Sequence, residues 1–301
     1  MSEFFETRLS EWKEQIDGGL KAIIAGLNYC DDFKNVLEYA LFPGGKRLRP
    51  ILMLEFHNLF ELPDEYALNY ACGIEILHTY SLIHDDMPCM DNDDMRRGKP
   101  TVHKMFGEAK ALLAGDALLD LAYRILNAPM PNGGVGPFCG FSSLGGDNGL
   151  INGQYIDLFG DIASVDELLD MYKQKTGALI KLACNGGYVL GNRRKIRLEC
   201  DGISGKCNII NEDRSNDRHI INGMLTESFA QAFGQAFQLY DDISEYISGE
   251  KQGERSILKF LDLDDAKKLL NEKLNNSAKA LDTIGGDNRF LHEFIEKFVI
   301  V

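Results

Sequence analysis

Apolar and polar residues follow a helical period over most of the chain. Apolar residues recur three or four positions apart, the spacing that places them on one face of an α-helix. This pattern predicts long helices at residues 64–86, 108–127, 165–190, 223–248 and 262–284. No strictly alternating apolar and polar run between turn residues is evident, so no sheet is expected. The predicted fold class is all-α.

Two stretches interrupt the helical pattern. Residues 129–149 are dense in glycine and proline, and residues 192–222 are rich in charge and asparagine. Both are predicted to be loops, and a loop as long as the second is either functional or disordered. Because no proline- or serine-rich linker and no internal repeat divides the chain, residues 1–301 are expected to form a single domain.

The charge and cysteine content narrow the class of protein. With 46 acidic and 32 basic residues the net charge is −14, so nucleic acid is not an expected partner. The chain has no run of 18 apolar residues and no secretory signal pattern, so we expect a cytoplasmic protein without stable membrane insertion. The seven cysteines are scattered and odd in number, which favours reduced thiols over a disulfide framework.

An acidic motif ends the first of the predicted helices. Asp85 and Asp86 close this helix, and Asp91 follows a proline that would bend the chain back towards them. Clustered carboxylates repel one another, and a hard cation such as Mg²⁺, which prefers oxygen ligands, relieves that repulsion. Arg96 and Arg97 come next, and adjacent guanidinium groups suit the binding of phosphate oxygens. The motif indicates a site for metal and phosphate, with a solvated acidic turn as the alternative.

A second acidic cluster lies near the end of the helix predicted at 223–248. It contains Asp241, Asp242 and Glu245, of which Asp241 and Glu245 are four residues apart and share a helix face. Two acidic helix ends in one helical protein suggest two walls around a shared metal cluster. The alternative is a solvated helix terminus, since such charge runs are common.

Two further motifs carry polar residues that a helix would bring together or bury. Gln154 and Asp157 are three residues apart and can face one cavity. Lys175 and Thr176 place a cation and a hydroxyl in an otherwise apolar helix.

A cationic motif lies near the start of the chain. Residues 44–50, GGKRLRP, join a flexible glycine pair to Lys46, Arg47 and Arg49. In a chain of net charge −14, such a concentration of cations indicates an anion site. Exposed charges on a turn are the alternative.

Together these motifs resemble the short-chain trans-isoprenyl diphosphate synthases, the polyprenyl synthetase family, and most of all its bacterial farnesyl diphosphate synthases. The resemblance covers residues 37–260 and rests on GGKRLRP, DDMPCMD, RRGKPT, LAGDALL, GQYIDL, KTGALI and FQLYDD. It implies an isoprenoid synthase fold, a homodimer of antiparallel helical bundles that each surround a central cavity. It also implies a prenyltransferase that condenses isopentenyl diphosphate head to tail with the allylic dimethylallyl and geranyl diphosphates, giving mainly farnesyl diphosphate.

The resemblance assigns roles to the matching positions. Three Mg²⁺ ions are expected at Asp85, Asp86, Asp91, Asp157 and Asp241, with support from Asp242 and Glu245. The allylic diphosphate is expected at Arg96, Lys175, Thr176 and Gln238. Isopentenyl diphosphate is expected at Gly44, Lys46, Arg49, His78 and Arg97. The residues expected to be catalytic are Asp85, Asp86, Asp91, Lys175 and Asp241.

Product length depends on the residues below the first acidic motif. Tyr80 precedes Asp85 by five residues, about 7.5 Å along a helix axis. In the family, an aromatic residue here together with the two-residue insertion in the motif accompanies a fifteen-carbon product. Helical geometry alone places Ser81, four residues before Asp85, beneath it. Both are chain-length candidates, and an ordinary core role for Tyr80 is the alternative.

Three other activities remain open from the sequence. The same chemistry stopping at geranyl or geranylgeranyl diphosphate is one, and a non-catalytic subunit of a prenyl synthase is another. A class I terpene cyclase shares the fold and an aspartate motif, but GGKRLRP argues against it.

The segment after Glu245 is shorter than in the family, and neither Lys251 nor Arg255 can be assigned to its missing lysines. Residues 192–222 are expected to be an inserted loop.

Overall fold

The structure, a computed structural model, describes residues 1–60, 65–129, 144–147, 149–192, 196–200, 207–211, 218–249 and 255–300. In these residues the chain is predominantly helical, and its strands form two small two-stranded sheets. The all-α prediction is therefore confirmed. Among the residues described here, no helix is long and apolar enough to cross a membrane.

The chain groups into two compact units. The N-terminal unit comprises Thr7–Leu54 and Pro63–Gly136, and the C-terminal unit comprises Met1–Glu6, Glu55–Leu62 and Pro137–Val301. Each unit draws on separated parts of the sequence, so neither is a simple half of the chain. The single domain expected from the sequence stays a prediction.

Six helices and one hairpin lie wholly or mostly in the N-terminal unit. They are α1 (Glu3–Ala25), α2 (Asp31–Leu41), α3 (Leu48–Asn58), α4 (Glu65–Asp85), β1 (Met95–Arg96), β2 (Lys99–Pro100), α5 (Val102–Phe106) and α6 (Glu108–Leu126). Helix α4 is buried along most of its length, as expected for a helix that is apolar around its circumference. It packs on α6, where a Cβ on Gly73 would lie 2.9 Å from Cγ2 of Ile125. The glycine therefore permits a close approach that fixes the helix ending at Asp85.

The remaining elements lie in the C-terminal unit. They are α7 (Leu150–Phe159), α8 (Val165–Lys175), α9 (Gly177–Gly191), β3 (Ile196–Cys200), β4 (Cys207–Asn211), α10 (Arg218–Ser248), a 3-10 turn (Ile257–Lys259), α11 (Leu263–Ile284) and α12 (Arg289–Glu296). Helix α10 packs against α9 and α11. A Cβ on Gly234 of α10 would lie only 2.7 Å from Cα of Gly177, so the two helices touch through glycine. This contact fixes the start of α9 against α10.

The structure corrects two expectations about secondary structure. The helix predicted at 165–190 is two helices, α8 and α9, which meet at Thr176. The loop predicted at 192–222 contains the antiparallel pair β3 and β4, with Cys200 opposite Cys207, and α10 already begins at Arg218. Ile196–Cys200 alternates apolar and polar residues, which is the period of a strand. The expectation of no sheet is therefore wrong here, and residues 130–143 of the glycine-rich stretch lie outside the described residues.

Candidate active site

The first acidic motif folds back on the end of α4. The Asp91 N–H donates to the Asp85 carbonyl over 2.9 Å. The chain therefore turns back towards Asp85 after the proline, as the sequence led us to expect. The carboxylate of Asp86 is buried and accepts a hydrogen bond from Nε of Arg96 at 2.6 Å. Burial raises the pKa of Asp86, and the Arg96 charge opposes that rise. Asp86 is thus tied to Arg96, while Asp85 and Asp91 are joined through their backbones.

The two arginines of the RRGKPT motif are presented by the β1–β2 hairpin. Its turn residues Arg97 and Gly98 have φ of 53° and 77°, as in a type I′ turn. The Lys99 ammonium lies 3.7 Å from the centroid of the Tyr39 ring and donates to the carbonyls of Tyr39 and Phe42. The hairpin is therefore anchored on α2. A small pocket is lined by polar groups of Asp86, Arg96, Arg97, Lys99 and Thr79 and by apolar side chains that include Leu82, Ile83 and Val102.

The GGKRLRP motif forms the loop that leads into α3. Nη1 of Arg49 lies 3.2 Å from Nε2 of His78 on α4. Burial lowers the pKa of His78 well below its usual value, and the charges of Arg49 and Arg97 lower it further. A neutral His78 can therefore accept the Arg49 N–H. A Cβ on Gly45 would lie 2.9 Å from Nη2 of Arg97, so Arg97 lies against this loop, and Lys46 is exposed on it.

A second cationic group lies at the end of α8 in the C-terminal unit. Nζ of Lys175 lies 2.5 Å from Oδ2 of Asp157 on α7. A Cβ on Gly153 would lie 2.2 Å from the backbone nitrogen of Lys175, so α7 packs closely on the end of α8. The amide nitrogen and oxygen of Gln154 are buried without a hydrogen-bond partner among the described residues. The structure thus pairs Lys175 with Asp157.

A hydrogen-bond network surrounds Asp242 on α10. The Thr176 hydroxyl donates to Oε1 of Gln238 at 2.8 Å, and Nε2 of Gln238 donates to Oδ1 of Asp242 at 3.1 Å. Oδ2 of Asp242 accepts from the Ile257 N–H at 2.8 Å and from the Tyr172 hydroxyl. Burial raises the pKa of Asp242, and these donors oppose the rise. Both Asp242 oxygens are therefore engaged within the protein, consistent with a supporting role.

Arg255 binds the C-terminal end of α7. Its Nη2 donates to the Gly160 carbonyl at 2.8 Å, and its Nη1 donates to the Ile156 carbonyl. A cation is favourable at a helix C-terminus, where carbonyls lack helical partners. Arg255 therefore holds the turn of α7 that carries Asp157. Lys251, the other candidate for the missing lysines, lies outside the described residues.

Both chain-length candidates are buried on α4. The Tyr80 ring packs edge to face with the His84 ring, with centroids 5.7 Å apart, and burial raises its pKa to about 12. The Ser81 hydroxyl donates to the His78 carbonyl at 2.9 Å. The Ser81 hydroxyl is therefore bound to the backbone of α4, whereas the Tyr80 ring packs against another side chain, that of His84.

Within the described part of the chain, no group of three or more His, Cys, Asp or Glu side chains is arranged to hold a metal ion. The predicted ligands are nevertheless all oxygen donors, which Mg²⁺ prefers. Mg²⁺ usually takes one or two carboxylates together with substrate phosphates rather than a cage made of protein alone. Residues such as Asp85 and Asp91 therefore fit an ion that phosphate oxygens help to bind.

Comparisons with known proteins identify the family. The family model described as Polyprenyl synthetase matches residues 31–202. The chain belongs to the polyprenyl synthetase family. It is 33% identical over 254 residues to a farnesyl diphosphate synthase of Geobacillus stearothermophilus, covering 82% of this chain and 77% of that protein. It is 35% identical over 261 residues to a chloroplastic geranylgeranyl pyrophosphate synthase of Capsicum annuum, covering 81% of this chain and 64% of that protein.

A solved structure agrees with this assignment. The crystal structure of an FPP/GFPP synthase from Zymomonas mobilis matches with a TM-score of 0.80 and 29% identity, covering 100% of both chains. This polyprenyl synthetase therefore has the isoprenoid synthase fold. It is a prenyltransferase of the short-chain prenyl diphosphate synthase class.

Sequence reasoning missed several residues that support the site of this polyprenyl synthetase. Glu75 is one of them: Arg47, which its motif led us to expect at an anion site, instead forms a buried ion pair with Glu75, with Nη1 and Oε1 2.6 Å apart. Glu75 carried a signal, because a single carboxylate within the apolar stretch of α4 needs a buried partner. Tyr172 carried none, since an aromatic residue on a helix is ordinarily core. Their contacts depend on tertiary packing that helical periodicity does not specify.

Proposed function

We propose that this prenyltransferase condenses isopentenyl diphosphate with dimethylallyl and then geranyl diphosphate, head to tail, and releases mainly farnesyl diphosphate. The observation that carries the proposal is the cationic group on the GGKRLRP loop. Arg49, paired with His78, and Arg97, packed on Gly45, supply guanidinium groups for one diphosphate, and Lys175 supplies a cation for a second. Two diphosphate substrates need two such sites, whereas a cyclase needs one.

In this proposal the two sites bind different substrates. Lys46, Arg49 and Arg97 bind isopentenyl diphosphate, with neutral His78 orienting the Arg49 guanidinium. Arg96 and Lys175 bind the allylic diphosphate, in place of part of their present pairing with carboxylates. Such charge-assisted contacts also orient each substrate for reaction.

Mg²⁺ is proposed as the cofactor. Asp85, Asp91, Asp157 and Asp241 would hold it with the allylic diphosphate, and Asp242 would act through the groups it orients. When bound, Mg²⁺ would supply Lewis-acid neutralisation of the leaving diphosphate. Asp86 is proposed to act through Arg96, because its buried carboxylate is bound by that guanidinium.

The rest of the reaction needs one side-chain contact and the released diphosphate. The allylic C–O bond breaks, giving an allylic cation and diphosphate. The Thr176 hydroxyl donates a hydrogen bond to Oε1 of Gln238, so its oxygen lone pairs remain available to stabilise positive charge. The π-electrons of isopentenyl diphosphate then form the new C–C bond. The released diphosphate takes the proton lost from the resulting tertiary cation, so no side-chain nucleophile is needed.

Product length is proposed to be set by Tyr80. Its ring is 5% exposed, and it lies one and a half helical turns before Asp85. A bulky side chain at this depth would stop an apolar tail at fifteen carbons. The geranylgeranyl synthase among the relatives keeps a twenty-carbon product as the competing outcome.

A homodimer is also proposed. Leu112 and Leu113 on α6 are 48% and 58% exposed, and adjacent exposed leucines favour a covering partner. Light scattering coupled to size exclusion should give twice the monomer mass.

Product analysis tests the proposed function. The purified enzyme is incubated with Mg²⁺, isopentenyl diphosphate and either dimethylallyl or geranyl diphosphate, and the dephosphorylated products are separated by chromatography. Farnesol should dominate. Geranylgeraniol or geraniol as the main product would replace the farnesyl assignment, and no product from either allylic substrate would support a non-catalytic subunit.

A further inference from the structure

A group of three charged residues, two of them buried, lies at the GGKRLRP loop, and the proposed reaction uses none of them. Its members are Arg47, Asp17 and Glu75, here called the Arg47 cluster. The Arg47 guanidinium donates through Nε to Asp17 at 2.9 Å, through Nη1 to Glu75 at 2.6 Å and through Nη2 to the Leu41 carbonyl at 2.8 Å. Arg47 and Glu75 are each 2% exposed. Arg47 therefore lacks the exposure of a substrate ligand, whereas Lys46, its neighbour in the motif, is exposed.

The backbone of Arg47 is held in a conformation that an arginine rarely adopts. Its φ is 53°, in the left-handed region, and such residues persist where their surroundings fix them. The Arg47 carbonyl accepts the Ile51 N–H at 3.2 Å, so this residue also starts α3. A Cβ on Gly44 would lie 2.1 Å from Cζ of Arg47, which places the guanidinium directly against the loop. The side chain thus fixes both the loop and the first turn of α3.

Two contacts tie this turn to α4 in a defined register. Glu75 and His78 are three residues apart on α4 and therefore lie on one face. Arg47 pairs with Glu75, and Arg49 pairs with His78 at 3.2 Å. Lys46 immediately precedes Arg47 in the chain. The position of Arg47 consequently determines where the cations on either side of it can lie.

We propose that Arg47 is a positioning residue for isopentenyl diphosphate, acting through Lys46 and Arg49 without touching the substrate. This inference rests on the proposed function, in which those two cations bind isopentenyl diphosphate. Losing the Arg47 cluster should weaken the binding of that substrate and leave binding of the allylic substrate nearly unchanged. A merely structural role would lower the active fraction or affect both substrates alike.

The test uses variants that separate positioning from folding. Arg47→Met alone leaves the buried Glu75 charge without its partner and can fail to fold. The double variant Arg47→Met/Glu75→Leu removes both charges, a replacement that buried ion pairs often tolerate. Arg47→Lys keeps the charge but loses the planar fork, so it should give a partial effect. Tyr70→Phe is the control, because it removes a hydrogen bond from α4 to the Ala128 carbonyl, away from the loop.

Steady-state kinetics and calorimetric binding of isopentenyl diphosphate give the readouts. The double variant should raise the KM of isopentenyl diphosphate at least about tenfold and that of dimethylallyl diphosphate less than about twofold. When Arg49→Ala is added to the double variant, the KM of isopentenyl diphosphate should rise by less than the two fold-changes multiplied together, because both changes act on one interaction. Tyr70→Phe should change neither KM.

Two results would overturn the inference. Unchanged binding of isopentenyl diphosphate by the folded double variant would show that the cluster does not position the loop. Equal increases in both KM values would show a merely structural role. If the wild-type enzyme itself binds no isopentenyl diphosphate, the proposed function fails and this inference fails with it.

Discussion

Replacing Tyr172 with phenylalanine tests whether the buried network around Asp242 is held by the tyrosine hydroxyl. Tyr172 is 2% exposed, and its hydroxyl donates to Oδ2 of Asp242, which is itself 5% exposed. Phenylalanine keeps the ring, so the change opens no sizeable cavity and removes only the hydroxyl, whose proton is directed at Asp242 and which also lies 3.2 Å from the Arg255 carbonyl. Asp242 would keep the Ile257 N–H at 2.8 Å and the Gln238 amide at 3.1 Å.

The size of the effect follows from the charge of the acceptor. A hydrogen bond to a charged group contributes about 1.5–3 kcal/mol, against about 1 kcal/mol for a bond between neutral groups. We therefore expect Tyr172→Phe to lower the free energy of unfolding by about 2 kcal/mol at pH 7.5. Tyr70→Phe removes a hydroxyl that donates to the neutral Ala128 carbonyl at 2.8 Å and should cost about half as much.

The loss should also depend on pH. Burial raises the pKa of Asp242 in the folded protein, and the Tyr172 hydrogen bond opposes that rise. Removing the hydroxyl should raise the pKa further, because the ionised carboxylate loses a donor. The folded variant then binds a proton more readily than the folded wild type. The difference in unfolding free energy is therefore full above both folded-state pKa values and shrinks as the pH falls through them.

Urea denaturation followed by far-UV circular dichroism, repeated from pH 7.5 to pH 4, measures this difference. The Tyr70→Phe difference should stay constant over that range, since its acceptor does not titrate there. Wild-type stability of Tyr172→Phe at pH 7.5 would refute the assigned hydrogen bond. A loss of the expected size that does not change with pH would refute its link to the Asp242 charge.

Three further predictions concern the proposed chemistry and the charge of His78. Asp85→Ala and Asp241→Ala should each lower kcat at least about a hundredfold at saturating Mg²⁺ with an unchanged circular dichroism spectrum, and near wild-type rates would exclude their proposed metal role. Tyr80→Ala should lengthen the main product, because each added CH₂ gains about 0.8 kcal/mol by burial, while Tyr70→Ala on the same helix should not. An unchanged fifteen-carbon product from active Tyr80→Ala would show that another residue limits the length of the product. Because the pKa of His78 is lowered in the folded protein, only the unfolded chain binds a proton at this histidine just below pH 6.5. The free energy of unfolding should therefore decrease by up to about 1.4 kcal/mol for each pH unit by which the pH is lowered there. His78→Asn should lack this part of the slope in urea denaturation, and an unaltered slope would contradict a neutral His78.

Much of the fold could be predicted because its helices are long and amphipathic or wholly apolar. The predicted helix at 64–86 matches α4, and that at 262–284 matches α11 within one residue. The division at Thr176 could not be read from periodicity, because the apolar pattern of α8 continues in α9. Only one residue, Thr176, separates the two helices. The short strand at Ile196–Cys200 had the right alternation, but its neighbours in sequence are charged and polar, which favoured a loop.

In the candidate site, the motif residues differ from the residues that hold them in place in how far the sequence indicates them. Motif residues such as Lys175 and Asp241 stand out in the sequence because a charge is unusual on an apolar helix, and their roles stay predictions. The residues that hold them in place were not predictable in the same way. Arg255, which binds the end of α7, and Tyr172, which bonds Asp242, act through partners 95 and 70 residues away in sequence. Such partners are set by how the helices pack.

This division has a consequence for how substitutions in the site should be interpreted. Both groups of predicted ligands have a supporting contact: Arg49 lies beside the buried Arg47 and Glu75 pair, and Asp157, the partner of Lys175, lies on the α7 turn held by Arg255. Removing a surface cation and removing its support can therefore give the same loss of turnover. The two differ in additivity, because a support that acts only through the cation has no further effect once the cation is gone. Double-mutant cycles between each predicted ligand and the residue beneath it are thus the measurement that separates binding from positioning in this enzyme.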